Sequence, residues 1–183
     1  MTLTSTDTGR QYSTTFPNVL FIDSKEKLDA LEASVAHCAD GWRLKGGGLY
    51  LYQANDVVDL EALSGLVGID GKSNNGRRLF IESNANLESL AGLRNLKGTL
   101  PGSLFVNDNA KLKSIAGLEG VTRIEGKDSG GYSLNIRDNL ALCLTAADRA
   151  RLTSCAGTHC SEAVSYTHLR AHETDSYLVC RLL

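Results

Sequence analysis

Two groups of side chains near the carboxyl end have types that could hold a metal. His168-x-x-x-His172-Glu173 sets two imidazoles one helical turn apart, the spacing a zinc-binding helix uses, but no Glu directly follows the first His to act as base. Cys143, Cys155, His159 and Cys160 supply thiols and an imidazole, yet they lack a Cys-x-x-Cys knuckle. Gly46-Gly47-Gly48 is a loose likeness of a phosphate loop; no Lys-Ser/Thr follows it, and it reads better as a tight entry into a strand. Arg77-Arg78, beside a Gly/Asn-rich stretch, could hold an anion but is expected to be a solvated pair. No Ser/His/Asp or Cys/His set can be assembled with an oriented third group. The expectation is a chain that is not an enzyme and holds neither metal nor cofactor.

The His pair falls in a segment that needs separate treatment. Residues 164–183 read as the translation of a transposase-type sequencing adapter, and the frame holds across an index into Tyr177-Leu-Val-Cys-Arg-Leu-Leu183. Residues 161–183 are therefore expected to be a non-native tail, and His168 and His172 to be no metal site.

The elements that must position any remaining chemistry come from a repeated phrase. From Leu79 the chain reads Leu-x-Ile-x-x-Asn-x-x-Leu-x-x-Leu-x-Gly-Leu-x-x-Leu-x-Gly, and from Leu104 it repeats with Val106, Asn109, Leu112, Ile115, Gly117, Leu118 and Val121. A looser copy starts at Leu49, with Asn55 as its Asn, and a truncated copy at Leu134 with Ile136, Asn139 and Leu142. The openings are 30, 25 and 30 residues apart. Repetition at this period predicts a solenoid whose units bury their apolar edges against each other. The fold expected is mainly β: a right-handed leucine-rich β-solenoid over residues 19–160, with short capping helices at both ends.

Each phrase opens on a short alternating strand whose first and third side chains point inward. Leu79, Ile81, Leu87, Leu90, Leu104, Val106, Leu112, Ile115, Leu134 and Ile136 are thus expected in the core. Asn84, Asn109 and Asn139 fall at one corner, where an amide can satisfy backbone groups of the neighbouring repeat. Alternation also puts Tyr50, Phe80, Phe105 and Asn135 in one outward row, with Tyr52, Glu82, Asn107 and Arg137 beside it. Aromatic groups in register on an exposed face are a candidate ligand-contact strip, because they give large contact area at low entropic cost. Loops folded over the strip would leave them a packing role instead.

At the ends, Asp23 with Glu26 is a capping-box-like start, and Leu28, Leu31 and Val35 recur at helical spacing, predicting a helix over 24–37. Thr145 with Asp148 opens a second helix to about residue 153. Residues 1–11 are polar and Thr/Ser-rich with no secretory-signal pattern, and residues 1–18 are expected to be disordered or fragmentary. Cys38, Cys143, Cys155 and Cys160 are an even set, suited to disulfides in an exported protein; reduced core thiols in a cytosolic protein are the alternative. The formal net charge of −2 points to no nucleic-acid or anionic-membrane partner, and no apolar run is long enough to span a bilayer.

Gly48-Leu-Tyr-Leu, Leu104-Phe-Val-Asn-Asp-Asn109 and Leu112-Lys-Ser-Ile-Ala-Gly-Leu118 resemble the receptor L-domain family of leucine-rich solenoids, over roughly residues 28–160. Cys38 and Cys143 resemble the cysteines that bracket such domains. The resemblance implies a non-enzymatic recognition module, a fragment of an extracellular or cell-surface receptor-like protein, with a protein, peptide or glycan ligand. A structural cell-surface or cell-wall solenoid, or a cytosolic leucine-rich scaffold, is the alternative. Three extra residues in the first repeat and the small number of repeats depart from the family pattern.

Overall fold

The computed structural model describes residues 2–5, 11–12, 19–70 and 77–156. In chain order the strands and helices are β1 (Thr2–Ser5), β2 (Gln11–Tyr12), β3 (Val19–Ile22), α1 (Lys25–Val35), β4 (Trp42–Lys45), β5 (Gly48–Tyr52), β6 (Leu66–Asp70), β7 (Arg77–Glu82), β8 (Gly98–Leu100), β9 (Ser103–Asn107), β10 (Val121–Ile124), β11 (Leu134–Arg137) and α2 (Ala146–Ala156). Single 3-10 turns lie at Glu61–Leu63 and Ala91–Leu93.

The strands gather into three sheets. One is parallel throughout, in the order β11-β9-β7-β5-β3. A second has the order β2-β1-β4-β6, with β1 antiparallel to both its neighbours and β4 parallel to β6. The third is the parallel pair β10-β8. This corrects the expected mainly-β right-handed leucine-rich solenoid: the arrangement is α/β, with mostly parallel strands in separate sheets and few helices. The repeat period reports only that β5, β7, β9 and β11 stand side by side. It carries no information on the returning segments, which form sheets of their own through β4, β6, β8 and β10. Near the amino end, β1 pairs along β4 from Thr2↔Lys45 to Ser5↔Trp42 and covers an edge that would otherwise expose unpaired backbone groups, while residues 6–10 and 13–18 lie outside the described residues. The tail 161–183, with His168 and His172, lies outside the described residues, as does His159.

One core runs through these elements. All ten residues expected inside are buried, from Leu79 and Ile81 to Leu134 and Ile136, so the strand register is as read. Trp42, Leu63, Leu93 and Leu118 extend the same core. Helix α1 lays Leu28, Leu31 and Val35 on it. Its N-cap is Ser24 rather than Asp23: the Ser24 side chain accepts from the Lys27 N–H, while the Asp23 carboxylate pairs with Lys27 Nζ at 2.7 Å. Helix α2 opens as expected, with Thr145 Oγ1 accepting from the Asp148 N–H at 3.0 Å and the Asp148 carboxylate accepting from the Thr145 N–H at 3.0 Å. Leu152 is buried, and Arg151 donates to the Leu118 carbonyl at 2.8 Å, which ties α2 to the preceding repeat.

The asparagines form a continuous buried column. Asn84 Oδ1 accepts from the Ala54 N–H, and Asn84 Nδ2 donates to the Leu51 carbonyl. Asn109 Oδ1 accepts from both the N–H and the Nδ2 of Asn84, and Asn109 Nδ2 donates to the Ile81 carbonyl and to Asn139 Oδ1. Asn139 Nδ2 closes the run on the Val106 carbonyl at 2.7 Å. The first repeat is corrected here: Ala54, not Asn55, holds the column position, and Asn55 instead accepts from the Ala85 N–H at the surface. The residue before each column position, Gln53, Ser83, Asp108 and Asp138, has φ between 52 and 58°. This left-handed conformation bends the chain out of each strand.

Close approach of neighbouring repeats fixes two glycines. A Cβ at Gly92 would stand 1.7 Å from the Leu60 carbonyl oxygen, and one at Gly117 would stand 2.0 Å from that of Leu90. Gly92 and Gly117 are therefore where one turn rests on the backbone of the one before, whereas Gly65 faces the Trp42 side chain.

Candidate recognition surface

The registers Phe21↔Tyr50, Tyr50↔Phe80, Phe80↔Phe105 and Phe105↔Asn135 align the outward row across β3, β5, β7, β9 and β11. Tyr52↔Glu82, Glu82↔Asn107 and Asn107↔Arg137 align the row beside it. The rings touch in sequence, with centroids 5.0 Å apart for Tyr50–Phe80, 5.9 Å for Phe80–Phe105, 6.2 Å for Tyr52–Phe80 and 6.4 Å for Phe21–Tyr52. These separations suit the tilted packing that ring quadrupoles favour.

Exposure divides the two rows. Phe80 and Phe105 are only 5% and 4% exposed, and Asn107 and Asn135 are buried too. The amide of Asn107 is satisfied when its nitrogen faces Asn135 Oδ1, at 3.1 Å. These four residues, expected in an exposed contact strip, instead pack and bond to each other, which corrects half of the strip. Tyr50, Tyr52 and Glu82 remain half-buried, and Arg137 is exposed beside Asp138, 3.7 Å away.

Phe21 joins the open end of the ladder, 39% exposed, with Lys27 Nζ 5.5 Å from its ring centroid. The sequence carried a signal for it. In Val19-Leu-Phe-Ile22 the inward Leu20 and Ile22 leave Phe21 on the outer face. Arg78 is a further correction, because the residue expected to be solvated is 1% exposed. Burial pulls its guanidinium below the ordinary value, and the nearby Tyr50 opposes that shift. The side chain of Arg77 lies outside the described residues.

The cysteines separate as well. Cys38, expected to be one of a bracketing pair, is a buried free thiol. Cys143 is disulfide-bonded, and neither the side chain of Cys155 nor Cys160 is among the described residues. Among the described residues, no group of three or more His, Cys, Asp and Glu side chains could hold a metal ion, and no helix is long and apolar enough to cross a membrane. No protein-family model matches the chain, and neither a curated protein nor a solved structure is significantly similar to it.

Proposed function

We propose that the chain is a non-enzymatic recognition module. Its contact surface is the open end of the aromatic ladder, formed by Phe21, Tyr50 and Tyr52 with Glu82 on the next strand, and its ligand is a protein, peptide or glycan. The observation that carries this reading is the gradient along the ladder of touching rings: packed at Phe80 and Phe105, accessible at Phe21, Tyr50 and Tyr52. Buried rings at one end hold the accessible ones rigid, which lowers the entropic cost of a contact. The disulfide at Cys143 supports an extracellular or cell-surface setting, since such bonds persist in oxidising compartments. Screening the full chain against a mixed panel of peptides and glycans tests the reading. Phe21→Ala and Tyr52→Ala should each weaken a bound panel member by about tenfold without lowering the thermal midpoint much. Unchanged binding in both variants would place the contact surface elsewhere.

The burial of Phe80 and Phe105 favours a second reading, a structural cell-surface element whose ladder serves only to stiffen the sheet. Failure of every panel member to bind would favour it.

A further inference from the structure

Glu82 is half-buried at the end of β7, and its strand neighbours in register are Tyr52 and the buried Asn107. No cation among the described residues pairs with it, although the acidic residues around it are engaged: Asp23 with Lys27, Asp138 with Arg137, and Asp108 accepting from Ser83 Oγ at 2.9 Å. A carboxylate partly withdrawn from water is stabilised by an opposite charge, and here the bordering residues are Tyr52 and the uncharged Asn107. The same surface already accepts one cation from within the chain, since Lys27 Nζ sits over the Phe21 ring while pairing with Asp23. The Glu82 end has the equivalent parts, a carboxylate and an adjacent ring in Tyr52, with no cation supplied.

From this we infer that the open end of the ladder takes a cationic peptide segment, an Arg or Lys side chain lying against Tyr52 with its charge on Glu82. The inference rests on the proposed recognition role and narrows it to one partner chemistry. The flat guanidinium of Arg stacks on a ring and pairs with a carboxylate at once, so Arg is preferred over Lys.

The experiment uses the full chain and fluorescently labelled random decapeptides selected by display, each resynthesised with its Arg and Lys residues replaced by Gln or Glu. Parent peptides should bind about tenfold more tightly than their Gln versions. Glu82→Gln should remove that preference, and raised salt should reduce it, while Glu125→Gln on another part of the surface should leave it intact. The Glu82→Gln thermal midpoint, unchanged from the parent chain, would confirm that the fold persists. Equal binding of parent and Gln peptides, or a preference retained in Glu82→Gln, would overturn the inference. A glycan that binds in a Tyr52-dependent way while no peptide shows charge preference would also overturn it and leave the recognition role standing. Binding that does not depend on Tyr52 would overturn the inference and move the contact surface, and failure of every member of either panel to bind would remove both.

Discussion

Asn84 Nδ2 donates to Asn109 Oδ1 at 2.9 Å, and the same oxygen accepts the Asn84 backbone N–H at 3.2 Å. One buried side-chain oxygen thus satisfies two donors of the preceding repeat, while the Asn109 amide nitrogen reaches the Ile81 carbonyl and Asn139. Removing Asn109 strands groups on both sides. Asn109→Ala should cost about 3 kcal/mol or more in chemical denaturation, because buried groups such as the Asn84 backbone N–H lose a partner that stands in for water. In a double-mutant cycle with Asn84→Ala, a coupling below about 0.5 kcal/mol would show that the column is not a unit.

Gly92 permits the turn at Ala91–Leu93 to rest on the Leu60 backbone. Gly92→Ala would place a methyl inside a carbonyl group that cannot swing aside. The expected loss is about 2 kcal/mol or more in thermal or urea unfolding. A variant as stable as the parent would mean that the two turns can part without cost.

Gln53 occupies the left-handed corner at φ 55° and is exposed. Three other repeats place Ser or Asp at this corner, and Gln gains less from local hydrogen bonding there. Gln53→Gly should raise stability by about 0.5–1 kcal/mol, read as a higher urea midpoint at unchanged slope. Destabilisation would indicate that the Gln53 side chain has a role beyond the turn.

Arg43 and Asp70 bridge β4 and β6 through two hydrogen bonds, of 2.7 and 2.6 Å. Those bonds from Arg43 hold the Asp70 carboxyl below its ordinary value of 3.8, with desolvation acting in the opposite direction. A depressed carboxyl contributes its full stability above that ordinary value and loses it as pH falls through the lower, folded-state value. Because the two side chains are 37% and 43% exposed, solvent screening limits the pair to about 1 kcal/mol or less. Asp70→Asn should therefore be less stable than the parent at neutral pH, with the gap closing in strong acid. A gap that stays constant with pH would assign it to lost shape rather than charge.

Phe80 and Tyr52 are in ring contact but should behave differently. Phe80→Ala removes a buried ring and should cost about 3–5 kcal/mol of stability. Tyr52→Ala, at a half-buried position, should cost about 1 kcal/mol and report mainly on binding. Equal stability losses would mean that the ladder has no accessible end.

The parallel register was legible because a one-residue slip would turn Leu79 and Ile81 outward. The asparagine corner was legible for a related reason, since a polar residue at a fixed place in an apolar phrase must satisfy backbone. Other features were not. Alternation says which side Phe80 and Phe105 take, but not what packs over that side. Arg78 looked solvated because a lone charge in sequence carries no sign of its burial. Ala54 was hidden by Asn55 one residue later, where only the hydrogen bonds show which residue faces the column. In the second row of strands, β4 lies outside the repeated phrase and β8 and β10 only begin at its closing letters, and so the assignment of fold class failed there.

The most direct measurement is an amide and side-chain NMR map of the full chain, titrated with the tightest-binding member of the peptide and glycan panel. The largest shifts should fall on Phe21, Tyr50, Tyr52 and Glu82, fading toward Phe105. Shifts centred on the Glu61–Arg94 side of the molecule, or no shifts at saturating ligand, would contradict that contact surface.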